Sequence, residues 1–492
     1  MFPARAAAFG DRPDTPYQRG SGWPCRAERP RAGEPWRAGP HPWNNRGMDY
    51  REAIEYLLSF SDMERGVQRS ADPHMGVASM RSLLSRLNDP HLGRRTVHVT
   101  GSKGKGSTAT MIASILGKTG GRTGLYTSPH LHSYTERIAV DADHVTPEEF
   151  AAAITVLERA VAAEQASVHG SVSTFGVLTA LFFWLMRAQV PRVQWQVVEV
   201  GLGGTFDATN VFETVDAAVI TPISLEHTQI LGNTTGEIAR DKAGIVKPGS
   251  VCIVAPQKDA AVLAVIRERC QAVGAELIDV ASAYTVEPEA HFPYGQSFLL
   301  RTPEGPLHLR TRMLGRHQLE NAATAVAVAQ ALRRRGQAIS DAAIADGIAH
   351  AHIPGRLEVM GQKPLIVADG AHNGESAAAL AAALRDYFSW KRCFFVIGTM
   401  RDKDVAAIGL RLAKFAELIV CTGFESPRAM DPLAMVQEVG FLGPMAVAEA
   451  TVAGALETVF THAHADDLVC ITGSLYVVAE ARALLLGEAT GS

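Results

Sequence analysis

At positions 96–107 a β-branched run ends in Gly101-Ser102-Lys103-Gly104-Lys105-Gly106-Ser107 and passes into a segment with Ile112, Ile115 and Leu116 on one side. That order reads as strand, loop and helix. Gly101, Gly104 and Gly106 let backbone N–H groups turn inward around an anion, a helix N-terminus adds partial positive charge, and Lys105 reaches terminal phosphates. A nucleoside triphosphate fits, with Gly101, Gly104, Lys105, Gly106 and Ser107 as its contacts. The strict G-x-x-x-x-G-K-[ST] spacing is not met, because Gly101 precedes Gly104 by three and Gly106 follows Lys105. Taken alone, the segment also describes an ordinary glycine-rich turn.

Further short apolar runs at 195–200, 217–220 and 251–254 alternate with helical stretches, which indicates a parallel sheet with crossover helices. Ligands gather beyond the carboxyl ends of such strands. The second run ends in Glu199-Val200-Gly201-Leu202-Gly203-Gly204-Thr205-Phe206-Asp207-Ala208-Thr209-Asn210, and the third leads to Ser224-Leu225-Glu226-His227-Thr228. A carboxylate and an imidazole leaving neighbouring strands can converge beside the phosphate loop, where Mg2+ takes protein ligands besides phosphate oxygens. Singly, Glu199 also reads as a solvated strand end and His227 as a helix cap.

The chain's 492 residues exceed one ordinary core, and a 47% apolar composition fills two, so two globular domains are expected. A formal charge of −4 offers no basic field for a phosphate backbone, so nucleic acid is not an expected partner. Cys25, Cys252, Cys270, Cys393, Cys421 and Cys470 lie far apart, without metal-site spacing or disulfide density, and read as reduced thiols in a cytoplasm. No apolar run approaches a membrane span, so no membrane partner is expected. Residues 1–47, rich in Pro, Gly and Arg and without Lys, are expected to be disordered. Helical spacing begins after Met48, the expected translation start.

The motifs in order resemble the folylpolyglutamate synthase branch of the Mur ligase superfamily, from Met48 to nearly the end. His98-Val99-Thr100 and the glycine loop resemble H-V-x-G-T-N-G-K-G-S, and Tyr126-Thr127-Ser128-Pro129-His130-Leu131 is similar to T-S-P-H-L. The segment 199–210 resembles E-V-G-L-G-G-R-L-D-A-T-N, the segment 225–228 resembles L-D-H-T, and Asp241-Lys242-Ala243-Gly244-Ile245-Val246-Lys247 resembles E-K-A-G-I-I-K. The resemblance implies an α/β fold: a P-loop-type parallel-sheet ATPase domain at 48–353, then a smaller Rossmann-like α/β domain at 354–488. It further implies that Ser128, Glu199 and His227 hold magnesium, with Lys242 carbamylated as a further acidic ligand. The residues alone would make Lys242 a surface or phosphate-contacting lysine.

Leu314-Gly315-Arg316-His317-Gln318-Leu319-Glu320-Asn321-Ala322-Ala323 resembles L-x-G-x-H-Q-x-x-N-A-A with one residue fewer before the Gly, and Asn321 is the expected adenine contact. Pro354-Gly355-Arg356-Leu357-Glu358 resembles the G-R-x-E linker, with Arg356 able to cross to ATP phosphates. Apolar runs at 365–368, 394–397, 418–420 and 468–471 suggest the second sheet. Asp369-Gly370-Ala371-His372-Asn373 resembles D-G-A-H-N, implying that Asp369 and His372 act across the cleft on nucleotide or incoming glutamate. The segments 398–404 and 472–476 read as sheet-edge turns.

The chain departs from the family pattern at Ser102, Lys103, Thr205 and Glu226, where the branch carries Thr, Asn, Arg and Asp. Ser173-Thr174-Phe175-Gly176 aligns with a T-x-F-E segment of the pteridine pocket, with Gly176 in place of the acid. Phe175 either stacks on a flat heterocycle or packs as helix core. The implied activity is ATP- and Mg2+-dependent ligation of L-glutamate to a folate or dihydropteroate carboxylate through an acyl phosphate, by a cytoplasmic enzyme expected as a monomer. Catalysis is assigned to Lys105, Lys242, Asp369 and His372. The alternatives are a peptidoglycan-precursor ligase, disfavoured by the short lead before the phosphate loop, and a P-loop nucleotide-binding regulator. An N-K-x-D base-reading motif would mark the latter, but Arg401-Asp402-Lys403-Asp404 lacks the residue between Lys and Asp.

Overall fold

The computed structural model describes residues 47–62, 76–168, 170 and 172–487. The extension expected to be disordered lies, apart from Gly47, outside the described residues. The first sheet is built from β1 (Arg95–Thr100), β2 (Thr123–Tyr126), β3 (Ile138–Val140), β4 (Asp143–His144), β5 (Trp195–Glu199), β6 (Ala217–Ile220), β7 (Val251–Val254) and β8 (Glu276–Asp279). Their order is β4-β3-β2-β5-β1-β6-β7-β8, and all but the β3–β4 hairpin run parallel.

Strand β1 is buried on both faces because helices cover the sheet on each side. Val97 and Val99 pack with the helices Lys105–Gly117 and Arg316–Arg334, while the opposite layer is formed by the helix Thr174–Ala188 and its neighbours. From β1 the chain crosses to β2, leaving a gap that β5 fills; β6 then takes β1's other side. That reversal opens a crevice beyond the carboxyl ends of β5, β1 and β6, where the glycine loop and the segments after Glu199 and Ile220 meet.

A three-stranded antiparallel sheet follows, of β9 (Thr285–Phe292), β10 (Gly295–Thr302) and β11 (Gly305–Thr311), in the order β11-β10-β9. The sequence reading did not anticipate it. Strands β10 and β11 alternate, burying Phe298, Leu300 and Leu309, whereas β9 is largely exposed and its register shifts beside Pro288.

The second parallel sheet consists of β12 (Glu358–Gln362), β13 (Leu365–Ala368), β14 (Cys393–Ile397), β15 (Ala416–Thr422), β16 (Met445–Glu449) and β17 (Leu468–Thr472), ordered β12-β13-β17-β14-β15-β16. Only β12 runs antiparallel to its neighbour. The turns after β14 and β17 therefore leave interior strands, which corrects the sheet-edge reading of 398–404 and 472–476. Gly473 sits there at φ +99°, and a Cβ on it would lie 2.6 Å from the Gly398 carbonyl, so the two turns touch.

The sheets are tied together by side chains. Tyr387 donates to Gln296 Oε1 at 2.6 Å, and Arg482 holds Glu358 through Nε at 2.8 Å while its Nη1 lies 3.1 Å from His132 Nε2.

Candidate active site

The glycine loop owes its path to close packing. Gly101 has φ +144° and Gly104 φ +79°; a Cβ would lie 1.9 Å from Thr221 Oγ1 at the first and 2.5 Å from Asn321 Oδ1 at the second. Both positions exclude other residues. The N–H groups of Ser102 and Lys103 donate to the Pro222 carbonyl at 2.9 and 3.2 Å. The anion-facing donors are instead those of the helix Lys105–Gly117, whose first turn has no side-chain cap.

Around that helix start the structure gathers most of the residues named from sequence. Lys105 Nζ donates to the Gly101 carbonyl at 3.0 Å. Lys242 is 1% exposed, donates to the same carbonyl at 3.0 Å and pairs with Glu226 at 2.9 Å. Burial lowers the Lys242 pKa, Glu226 pulls it back, and Lys105 lowers it further. Glu199 is buried beside Gly106 and accepts from the Ser128 backbone N–H at 3.0 Å, so it is not a solvated strand end. His227 stands before the short helix Thr228–Leu231 at φ +44°, with no cap bond and its ring open to solvent. Partial burial lowers its pKa, with Glu226 opposing and Lys105, Lys242 and Lys403 adding to the effect.

Among the described residues no three His, Cys, Asp or Glu side chains form a metal cluster. Mg2+ does not require one, since it is commonly held by one or two carboxylates plus substrate phosphates. The buried Glu199 carboxylate beside the phosphate-facing helix turn, with Ser128 next to it, fits that chemistry. Glu226, which sequence reading treated only as a departure, proves to be Lys242's carboxylate partner.

From the second sheet, Asp369 accepts from Leu357 N and Ala371 N at 2.9 Å each, fixing the linker to the turn after β13. His372 Nδ1 lies 2.9 Å from the Gly370 carbonyl, so Nδ1–H donates there and Nε2 remains an acceptor. Burial lowers the His372 pKa, and Lys103, Lys403 and Arg356 lower it further. His317 is likewise lowered by burial, with Asp369 opposing and Arg356 assisting, which brings those three groups together. Asn321, named for adenine, has its carboxamide against Gly104 and donates to Gln318 at 3.0 Å.

On the other side Ser173 caps the helix Thr174–Ala188, accepting from Gly176 N at 3.1 Å. Phe175 is half-buried; its ring lies 5.8 Å from that of Tyr126 and would be 2.6 Å from a Cβ on Gly201. Glu136 accepts from the N–H groups of Leu131, His132 and Ser133 at 2.7, 2.8 and 2.8 Å, clamping the loop after Ser128. Its signal, the S-x-x-E spacing of Ser133 and Glu136, was legible. Lys105, Ser128, Glu199, His227, Phe175, Asp369 and His372 line one cleft of about 2560 Å³, with Lys242 buried behind its wall; the volume is well above the 300–1,000 Å³ of a single small-ligand pocket, so it has room for several ligands at once.

A glycine loop on one α/β lobe facing an Asp-Gly turn on a second defines a Mur-type ligase, and the Mur ligase middle domain matches residues 99–329 while the Mur ligase glutamate ligase domain matches 355–475. The chain is 36% identical over 356 residues to the dihydrofolate synthase/folylpolyglutamate synthase of Bacillus subtilis, covering 72% of this chain and 82% of that one. It belongs to the folylpolyglutamate synthase/dihydrofolate synthase family. It is also 36% identical over 446 residues to a probable bifunctional folylpolyglutamate synthase/dihydropteroate synthase of Haloferax volcanii, covering 88% of this chain but spanning only 50% of that longer relative. The structure is similar to Mycobacterium tuberculosis folylpolyglutamate synthase complexed with ADP, with a TM-score of 0.80 and 30% identity over 90% of this chain and all of that one.

Proposed function

We propose that this protein is an ATP-dependent ligase that joins L-glutamate to the carboxylate of a folate or dihydropteroate through an acyl phosphate. The observation that carries the reading is the meeting of Lys105 and Lys242 on the Gly101 carbonyl, beside Glu199 and opposite the Asp369 turn. A carboxylate is a poor electrophile, and phosphorylation converts it into one that an amine can attack. The helix N–H groups at Lys105, Gly106 and Ser107 and the Lys105 ammonium bind the triphosphate and offset charge as the γ-phosphoryl moves. Glu199 and Ser128, with His227 nearby, would hold Mg2+, which when bound neutralises phosphate charge.

Lys242 is proposed to carry a carbamate: its burial favours the neutral amine that adds CO2, and an adjacent cation would stabilise the anion formed. Arg356 and Asp369 serve the nucleotide side. The neutral His372 presents Nε2 to take a proton from the incoming glutamate ammonium. Asn321 is assigned to the nucleotide, and Ser173 and Phe175 to the acceptor pocket, where the Phe175 ring can stack on a pteridine. The division into lobes at 48–353 and 354–488 suits closure that keeps water from the acyl phosphate. We place the enzyme in the cytoplasm, acting as a monomer on small molecules. Among the described residues no helix is long and apolar enough to cross a membrane, and Cys252, Cys270, Cys393, Cys421 and Cys470 are free and buried.

The test is incubation with ATP, Mg2+ and labelled glutamate, offering dihydropteroate, tetrahydrofolate or a muramyl precursor in turn. Label should enter the folate-type acceptors; incorporation only with the muramyl compound would overturn the reading.

A further inference from the structure

We propose that His98 and Thr209 are positioning residues, whose hydrogen-bond relay holds Asp207, and through it the 201–205 turn, in the wall that the acceptor pocket shares with Lys242. This rests on the cleft being a folate-type ligase site. Strand β1 presents His98 and Thr100 on one face, two residues apart, just before the glycine loop. Thr100 Oγ1 donates to the Gly203 carbonyl at 2.6 Å. His98 Nε2 lies 2.8 Å from Thr209 Oγ1, which lies 2.5 Å from Asp207 Oδ1. Asp207 also accepts from Leu202 N at 3.0 Å and Thr209 N at 2.9 Å, so one buried carboxylate ties the turn at Leu202 to Thr209 beyond it.

The relay has a direction. Burial raises the Asp207 pKa, but both its oxygens already accept backbone N–H groups, so it acts as an acceptor: the Thr209 hydroxyl donates to it and must accept from His98. Burial, and secondarily Lys247, push the His98 pKa down to about 3, so the ring is neutral and its proton sits on Nε2. Nδ1 then has no partner among the described residues, and the ring stands edge-on to Phe212 at 5.7 Å. An apolar side chain at 98 would avoid that unmet acceptor in the core. What the imidazole contributes is the Nε2 proton.

The turn it steadies is a thin plate between two parts of the site. On one side lies Phe175, which would be 2.6 Å from a Cβ on Gly201. On the other, a Cβ on Gly204 would lie 2.8 Å from Lys242 Cα, and Thr205 bonds the Asp241 carbonyl through N at 3.0 Å and Oγ1 at 2.7 Å. A loosened turn therefore disturbs the acceptor pocket and Lys242 together. Lys105 and the helix N-terminus rest on Gly101 and Asn321, outside the 201–205 turn, and meet Lys242 at the shared Gly101 carbonyl.

The test compares Thr209→Val, which removes the hydroxyl at similar volume, with Thr209→Ser, which keeps it. The relay predicts that Thr209→Val lowers kcat/KM for the acceptor about tenfold with KM for ATP nearly unchanged, and that Thr209→Ser recovers most of the loss. Equal impairment in both, or a parallel decline toward ATP, would overturn it. Should Thr209→Val not fold, His98→Phe against His98→Gln, whose amide reaches the Nε2 position, makes the same comparison. Hydrogen exchange of 201–207 separates the relay from the activity. If the wild-type protein glutamylates no folate-type acceptor, faster exchange in Thr209→Val than in Thr209→Ser upholds the relay, and equal exchange rejects it.

Discussion

Lys105 and Lys242 bring their ammonium groups to one oxygen, each donating to the Gly101 carbonyl at 3.0 Å. Cations gathered on one acceptor repel, and the repulsion contributes to the lowered Lys242 pKa. An arrangement that is unfavourable in the empty cleft becomes favourable when a polyanion enters. The pair therefore separates into distinct roles that mutation can test.

Lys105 is partly exposed and faces the helix N-terminus. Lys105→Met should leave folding intact and lower kcat/KM for ATP by about a hundredfold or more, roughly 2.7 kcal/mol of transition-state stabilisation. Steady-state kinetics with varied ATP reads it, and wild-type values in the variant would remove Lys105 from the mechanism.

Lys242→Ala should abolish turnover, because it removes the proposed carbamate. Added short carboxylates should restore part of the activity, and the wild-type enzyme should lose activity when stripped of bicarbonate. Unchanged turnover in the variant would reject the assignment.

Glu226 offsets an ammonium that is 1% exposed. In protein stripped of CO2, where Lys242 is an ammonium, Glu226→Gln leaves that charge without its carboxylate, and the expected loss is about 3 kcal/mol in denaturant unfolding, the usual cost of breaking a buried pair. An unchanged unfolding midpoint would show that Lys242 is not held as an ion pair.

His98 predicts a pH dependence of stability. Its pKa falls from the ordinary 6.5 to about 3 in the folded protein, so below 6.5 the unfolded chain takes up a proton that the folded one refuses. Stability is lost as pH drops from 6.5 toward 3, by about 1.4 kcal/mol per pH unit. His98→Gln removes this term, so its urea midpoint should fall less steeply across that window. Parallel slopes would contradict the buried neutral ring.

The chemistry-bearing strand ends were legible because β1, β5, β6 and β13 are short apolar runs followed at once by polar residues, a pattern that survives without tertiary context. The hairpin strands β9 to β11 were not, since β9 places Pro288 beside a register shift and exposes most of its side chains. The Glu226–Lys242 pair and the His98–Thr209–Asp207 relay join residues far apart in the chain, and periodicity carries no information about such contacts. The engagement of the Ser102 and Lys103 N–H groups was hidden for the same reason: Pro222, which accepts them, belongs to the segment after β6.

The most direct test of the acyl phosphate formed in this cleft uses an acceptor labelled with 18O in its carboxylate. In complete reactions with ATP, Mg2+ and glutamate, the account predicts one labelled oxygen in the released phosphate for each amide bond formed. Amide formation with unlabelled phosphate would contradict it.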